Sequence, residues 1–106
     1  MRFSMMRYRR GGWRGRRGRP PKPVRLGMTL TVKMFIPVPR LNQEPLYIEP
    51  AEIEAMRLVD LEGLSQEEAG ERMGVSRGTV WRLLQSARRK VTQAITEGRS
   101  LFIFPI

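Results

Sequence analysis

The side chains with the greatest chemical reach gather in one run: Ser76, Arg77, Gly78, Thr79, Trp81, Arg82 and Gln85, followed by Arg88, Arg89 and Lys90. None of these is a nucleophile beside a general base. Their chemistry is recognition, because an Arg guanidinium makes paired hydrogen bonds to guanine O6 and N7 or neutralises a phosphate, and Gln can pair with adenine. The Ser76 hydroxyl and a helix N-terminus behind it offer donors to a phosphate. On a helix turning about 100° per residue, Arg77, Gly78, Trp81, Gln85, Arg88, Arg89 and Thr92 fall within about 120° of arc, with Arg82 at its edge. That face suits the major groove of DNA, with Ser76, Arg77, Gly78, Trp81, Arg82 and Gln85 at base edges and Thr79, Arg88, Arg89 and Lys90 on backbone. Each has a plainer reading. A basic helix face is often simply solvated, Gln is an ordinary exposed helix former, and Trp81 can stack on a sugar or a thymine methyl or cover Leu84.

Holding such a face in place takes two helices in a fixed relation. Ser65-Gln66-Glu67-Glu68 reads as a capping box that starts a short helix running to Met73. Gly74 supplies the positive φ of a tight turn, and Ser76 caps a helix beginning at Arg77. Val80, Leu83, Leu84, Ala87, Val91, Ala94 and Ile95 form one apolar stripe along it, which Gly98 ends. Buried positions at Ala69, Met73, Val75, Val80 and Leu83, with tiny Gly70 at the closest approach, match a helix-turn-helix over residues 65–97. Upstream, Pro50 opens a helix predicted over Ala51 to Glu62, with Ile53, Met56, Leu58, Val59 and Leu61 inward and Gly63 closing it. Thr29 to Ile36 alternates as a half-buried strand, with Leu30, Val32, Met34 and Ile36 on one side. Leu101 to Phe104 is a second strand, able to pair with the first within one chain or between chains. The expected fold is mainly α: a three-helix helix-turn-helix domain over residues 28–106, with a short N-terminal and a short C-terminal strand, preceded by a disordered basic arm over residues 1–27.

Composition narrows the function classes. The chain has 106 residues, with 20 Lys and Arg against 10 Asp and Glu, a formal charge of +10, no Cys and no His. Disulfides, thiolate nucleophiles, structural zinc sites and the commonest general base are therefore excluded. Neither an enzyme, a metal, a cofactor nor a small-molecule ligand is expected, and no apolar run is long enough to cross a membrane. Residues 1–27 hold ten basic groups and no acid, so the arm carries the whole excess charge. Nine of the ten acids lie between Glu44 and Glu71, whereas six of the remaining ten basic groups lie between Arg72 and Lys90. Within the arm, Arg17-Gly18-Arg19-Pro20-Pro21-Lys22 resembles an AT-hook, an extended segment that places Arg side chains in a narrow A·T-rich minor groove. Arg17, Gly18, Arg19, Pro20 and Lys22 are the arm's candidate contacts, in the minor groove or on backbone.

The segments Arg19-Pro20-Pro21-Lys22-Pro23, Arg57 to Ala69 and Met73 to Val80 resemble the domain-of-unknown-function family 134, whose members are small, mainly archaeal and bacterial proteins. The resemblance covers about residues 19–104 and is specific over 57–95. More distantly, the same helices are similar to the promoter-reading fourth region of sigma factors. Membership implies a helix-turn-helix of sigma-factor type and a regulatory role, without a target. Many relatives begin near the Arg-Pro-Pro-Lys segment, which makes residues 1 to about 16 an extension and Met5 or Met6 an alternative start; relatives can also carry a further C-terminal domain. The expected function is sequence-selective binding of double-stranded DNA as a transcriptional regulator, cytoplasmic and nucleoid-associated. A homodimer is expected because a single helix-turn-helix reads few bases. Two alternatives remain open. One is nonspecific DNA or RNA binding dominated by the arm, and the other is a module docking RNA polymerase through Glu52, Glu54, Glu67, Glu68 and Glu71.

Overall fold

Two serines start two helices by the same local chemistry. The computed structural model describes residues 23–104. Ser65 Oγ accepts the Glu68 N–H at 3.0 Å while the Glu68 carboxylate accepts the Ser65 N–H at 2.9 Å, and helix α2 follows over Gln66–Met73. Ser76 Oγ accepts the Thr79 N–H at 3.1 Å and opens helix α3, Arg77–Glu97. Such caps contribute about 1 kcal/mol each by satisfying amide groups the helix leaves free. Gly74, at φ 72°, and Gly98, at φ 62°, take the left-handed conformation that ends α2 and α3.

Helix α1, Pro50–Met56, precedes them with Pro50 in its first turn. The predicted single helix to Glu62 instead widens into a π-helical turn over Arg57–Leu61, closed by the Glu62 N–H donating to Arg57 O at 2.9 Å. The extra residue in that turn rotates the chain's register. Leu58 stays buried, but Leu61, expected inward, is 78% exposed.

A three-stranded sheet lies against the C-terminal half of α3. Strands β1 (Met34–Phe35), β2 (Leu46–Ile48) and β3 (Leu101–Ile103) are ordered β1-β3-β2. The middle strand β3 runs antiparallel to β1, with Met34 opposite Phe102, and parallel to β2, with Tyr47 opposite Phe102. The two strands read in the sequence thus pair within one chain. Strand β2 was not anticipated, since three residues after Pro45 give no periodic signal. The expected strand over Thr29 to Ile36 shrinks to two paired residues because β3 offers so short a partner.

The helices and sheet enclose two apolar clusters. One joins Val24, Ala51, Ala55 and Leu58 to Ala69, Met73, Val80 and Leu83 across the helix-turn-helix. The other packs Ile48, Leu101 and Ile103 against Ala87 and Ala94. Ile95, expected at the end of the stripe, is 76% exposed, whereas Ala94 beside it packs against the sheet. The arm also ends earlier than residue 27. Val24 is fully buried, and the Arg25 N–H donates to Met73 O at 2.9 Å. Residues 1–22 lie outside the described residues, and the expected disorder of the arm with them.

Gly70 fixes how closely α2 and α3 approach. A Cβ built there meets the Val75 carbonyl oxygen at 2.7 Å and Val80 Cγ2 at 3.5 Å, while the Val75 N–H donates to Gly70 O at 3.0 Å. Gly70→Ala must therefore push the turn off α2. A loss of about 1–3 kcal/mol is expected in urea unfolding, the range of overpacking substitutions.

Candidate nucleic-acid interface

The exposed side of α3 is built outward from its buried stripe. Val80, Leu83, Leu84 and Ala87 are at most 1% exposed, which directs the intervening positions to solvent. Arg77, Gly78, Trp81, Arg82, Gln85, Arg88 and Arg89 all lie on the exposed surface. Trp81 is 51% exposed, so about half of its surface remains open to solvent. Gly78 has open space beside it, the nearest atom to an added Cβ being Ser76 Oγ at 3.9 Å.

Ser76 and Thr79 are engaged with each other. Besides accepting the Thr79 N–H, the Ser76 hydroxyl donates to Thr79 Oγ1 at 3.0 Å. Their role at the start of α3 is first a capping role, and any phosphate there meets the helix N-terminus they organise.

The basic groups divide into free and committed. Among the described residues, Arg77, Arg82 and Arg89 form no ion pair. Arg88 is clamped by Asp60 from the π-helical turn, with its Nη2 2.7 Å from Oδ1 and its Nε 3.1 Å from Oδ2. The Arg88 hydrogen bonds hold the Asp60 carboxyl below its ordinary range. Both side chains are more than a third exposed, so the pair adds well under about 1 kcal/mol to stability. That contribution is present at neutral pH and is lost as pH falls through the lowered Asp60 value.

Lys90 departs furthest from the sequence reading. Instead of joining the backbone-gripping set, it turns toward α1, where its Nζ lies 2.8 Å and 3.1 Å from the two oxygens of Glu52. The Glu52 carboxylate also accepts the Glu49 N–H at 2.9 Å and the Ser86 hydroxyl. With four hydrogen bonds to a side chain that is 7% exposed, Glu52 pins the start of α1 to the middle of α3. Burial, followed by the neighbouring charge of Glu52, raises the Glu49 carboxyl above its usual range.

Glu54 is likewise buried. It accepts two bonds from Arg57 at 2.9 Å and the Gly27 N–H at 2.8 Å, and these hydrogen bonds from Arg57 raise the guanidinium's own pKa. The acidic docking surface expected from the sequence accordingly loses Glu52 and Glu54. Glu67, Glu68 and Glu71 remain exposed on α2. Hydrogen bonds from Ser65 hold the Glu68 carboxyl below its ordinary range.

One residue missed in the sequence ties the chain's beginning to this face. Arg25 donates through Nη2 to Glu71 O at 2.8 Å and through Nε to Arg72 O at 3.3 Å, capping the last carbonyls of α2. Its guanidinium sits beside Gly74, 3.0 Å from an added Cβ. Arg25 is therefore fixed beside the turn between α2 and α3. Arg17, Gly18, Arg19, Pro20 and Lys22 themselves lie outside the described residues. Among those described, no helix is long and apolar enough to cross a membrane.

A family model described as "Protein of unknown function DUF134" matches residues 13–104. The chain belongs to this family. The membership expected from the segments at 57–69 and 73–80 is thereby borne out. A UPF0251 protein of Pyrococcus abyssi is 60% identical over 70 residues, covering 66% of this chain and 64% of that relative. One of Thermococcus kodakarensis is 55% identical over 83 residues, 76% of this chain and 74% of the relative. Another, of Archaeoglobus fulgidus, is 42% identical over 99 residues, 93% and 91% of the two chains. No solved structure matches. The family description states no activity, so the functional reading rests on the geometry of α3 and its surroundings.

Lys90 and Arg89 are adjacent but differ in consequence. Lys90→Ala leaves a buried carboxylate without its cation and should cost about 2–4 kcal/mol in urea unfolding, whereas Arg89→Ala should fall within about 0.5 kcal/mol of the parent.

Proposed function

We propose that the chain binds double-stranded DNA as a transcriptional regulator, with the N-terminal half of α3 in the major groove. The observation that carries this reading is the set Arg77, Arg82 and Gln85, exposed on a helix whose orientation the Gly70 approach and the Ser76 cap hold rigid. Two guanidinium groups without an ion pair among the described residues, and an amide, supply on such a face the donors and acceptors that base edges require. Gly78 removes the one side chain that would hold the helix start away from a backbone phosphate. Arg89 lies further along and suits a phosphate on the groove's rim.

The arm adds a second contact. Because Arg25 is fixed beside the turn preceding α3, an arm joined to it can follow the backbone or enter the minor groove flanking the site. Ten positive charges over residues 1–27 without an acid make that contact strong at low salt and indifferent to sequence. The same concentration of charge favours one rival reading, in which the arm dominates and nucleic acid is bound without selection.

Selection of bound sequences from random duplex DNA separates the two. A defined core is expected, and Arg77→Ala and Arg82→Ala should each relax one position of it by about 1–3 kcal/mol. Arg89→Ala should weaken all sequences alike and lower the salt slope by about one. Gly78→Ala should leave thermal stability unchanged or higher while weakening the selected site. If both Arg variants retain the parent's preference over random DNA, α3 is not the reading element.

A further inference from the structure

The second apolar cluster is open on one side. Between the sheet and the C-terminal half of α3 lies a groove of about 400 Å³, with Leu30, Val32, Ile53, Met56, Val91 and Ile95 among its walls. Apolar side chains stand exposed along its edge: Val32 is 51% exposed, Phe35 65%, Ile36 53% and Ile95 76%. The sequence of this edge disagrees with its environment. Thr29 to Ile36 alternates as a strand with one covered face, yet the ladder to β3 holds just Met34 and Phe35, with Lys33 O accepting the Ile103 N–H, and while Leu30 packs against the cluster Val32 and Ile36 stand in solvent. Strand β1 is also an outer strand of the sheet, which leaves one side of its backbone without a partner in the sheet.

We propose that this groove and the Val32–Ile36 edge are the interface of a homodimer, occupied by a second copy of the chain. Four observations favour that occupant. First, a small apolar molecule could fill the groove but would leave Phe35, Ile36 and Ile95 at its edge in water. Second, Val32, Phe35 and Ile36 continue the groove along an outer strand whose backbone is unpaired on one side in the sheet, an edge that the same edge of a second copy can meet. Third, each protomer carries both the groove and the projecting side chains, Phe35 from the sheet and Ile95 from α3. A two-fold axis then seats the projections of each copy in the groove of the other.

The fourth observation is electrostatic. Arg99 is the one charged residue lining the groove, and its guanidinium is held by Glu44 O at 2.8 Å, by Pro45 O at 3.4 Å and by Glu97 at 3.0 Å. No unpaired charge among the groove's described lining opposes its own copy, while the +10 excess belongs to residues 1–27. The interface also leaves the recognition face free, since Ile95 lies 18 residues beyond Arg77, about 27 Å along α3. This goes beyond the DNA reading and does not depend on it.

Sedimentation equilibrium of the full chain without DNA, at tens of micromolar, tests the assignment. The expected mass is twice 12.3 kDa. Phe35→Glu and Ile95→Glu replace exposed side chains, so both should keep the parent's circular dichroism and sediment as monomers. A monomeric parent, or a dimer that survives both substitutions, overturns the proposal, as does a monomer whose groove takes up a small apolar dye. Hydrogen exchange of the parent supplies a check free of mutations. Protection of residues 29–36 and 91–95 should rise with protein concentration, and protection independent of concentration overturns the interface.

Discussion

The whole arrangement depends on a missing methyl group. With Gly70 in α2, the Val75 carbonyl can sit where any side chain would collide, and α3 can lie across α2 at a fixed distance. Gly74 then turns the chain in a left-handed conformation, and Val80 reaches the shared core beneath Gly70. The outward direction of Arg77, Arg82 and Gln85 follows from that packing, because a helix held on one face has no freedom left on the other. Glu52 adds a second restraint further along α3. Bound to Lys90, Ser86 and the Glu49 amide, it prevents α3 from sliding on α1. Recognition surface and core are therefore two sides of one packing problem.

The basic groups of α3 illustrate how position along a helix sorts residues of one type. Arg88, Arg89 and Lys90 are consecutive, so successive side chains point about 100° apart. Lys90 turns into the α1 contact, Arg88 meets Asp60 from the π-helical turn, and Arg89 points to solvent. A run of three cations thus supplies one structural ion pair, one surface clamp and one free charge. The free charges concentrate toward the start of α3, where the helix dipole also favours an anion.

What the sequence made legible follows from the range of the interactions involved. Ser65 with Glu68, Ser76 with Thr79, and the left-handed glycines at 74 and 98 act across a few residues, and all four ends of α2 and α3 were readable from them. So was the position of Gly70, because the helix-turn-helix imposes its own spacing. Contacts across longer separations were not. Lys90 finds Glu52 38 residues away and Arg88 finds Asp60 28 residues away, with no local pattern to announce either. Arg25 looked like one more charge in a basic arm, yet Val24 beside it fills the core and its guanidinium caps α2. Strand β2 is too short for periodicity, and the turn widens after Met56 within an unbroken helical pattern that carries no local mark of it.

The placement of β3 between β1 and β2 governs the order in which the molecule can assemble. Leu46 and Leu101 are register partners in the sheet separated by 55 residues, and every helix lies between them. Closing so long a loop costs more entropy than docking α2 on α3, whose contacts span a short stretch of chain. The helical pair is thus the natural folding nucleus, and the sheet joins once α1 and α3 are in place. The recognition helix gains its register early, from local contacts, whereas the sheet side of the molecule forms as a late and separately yielding unit.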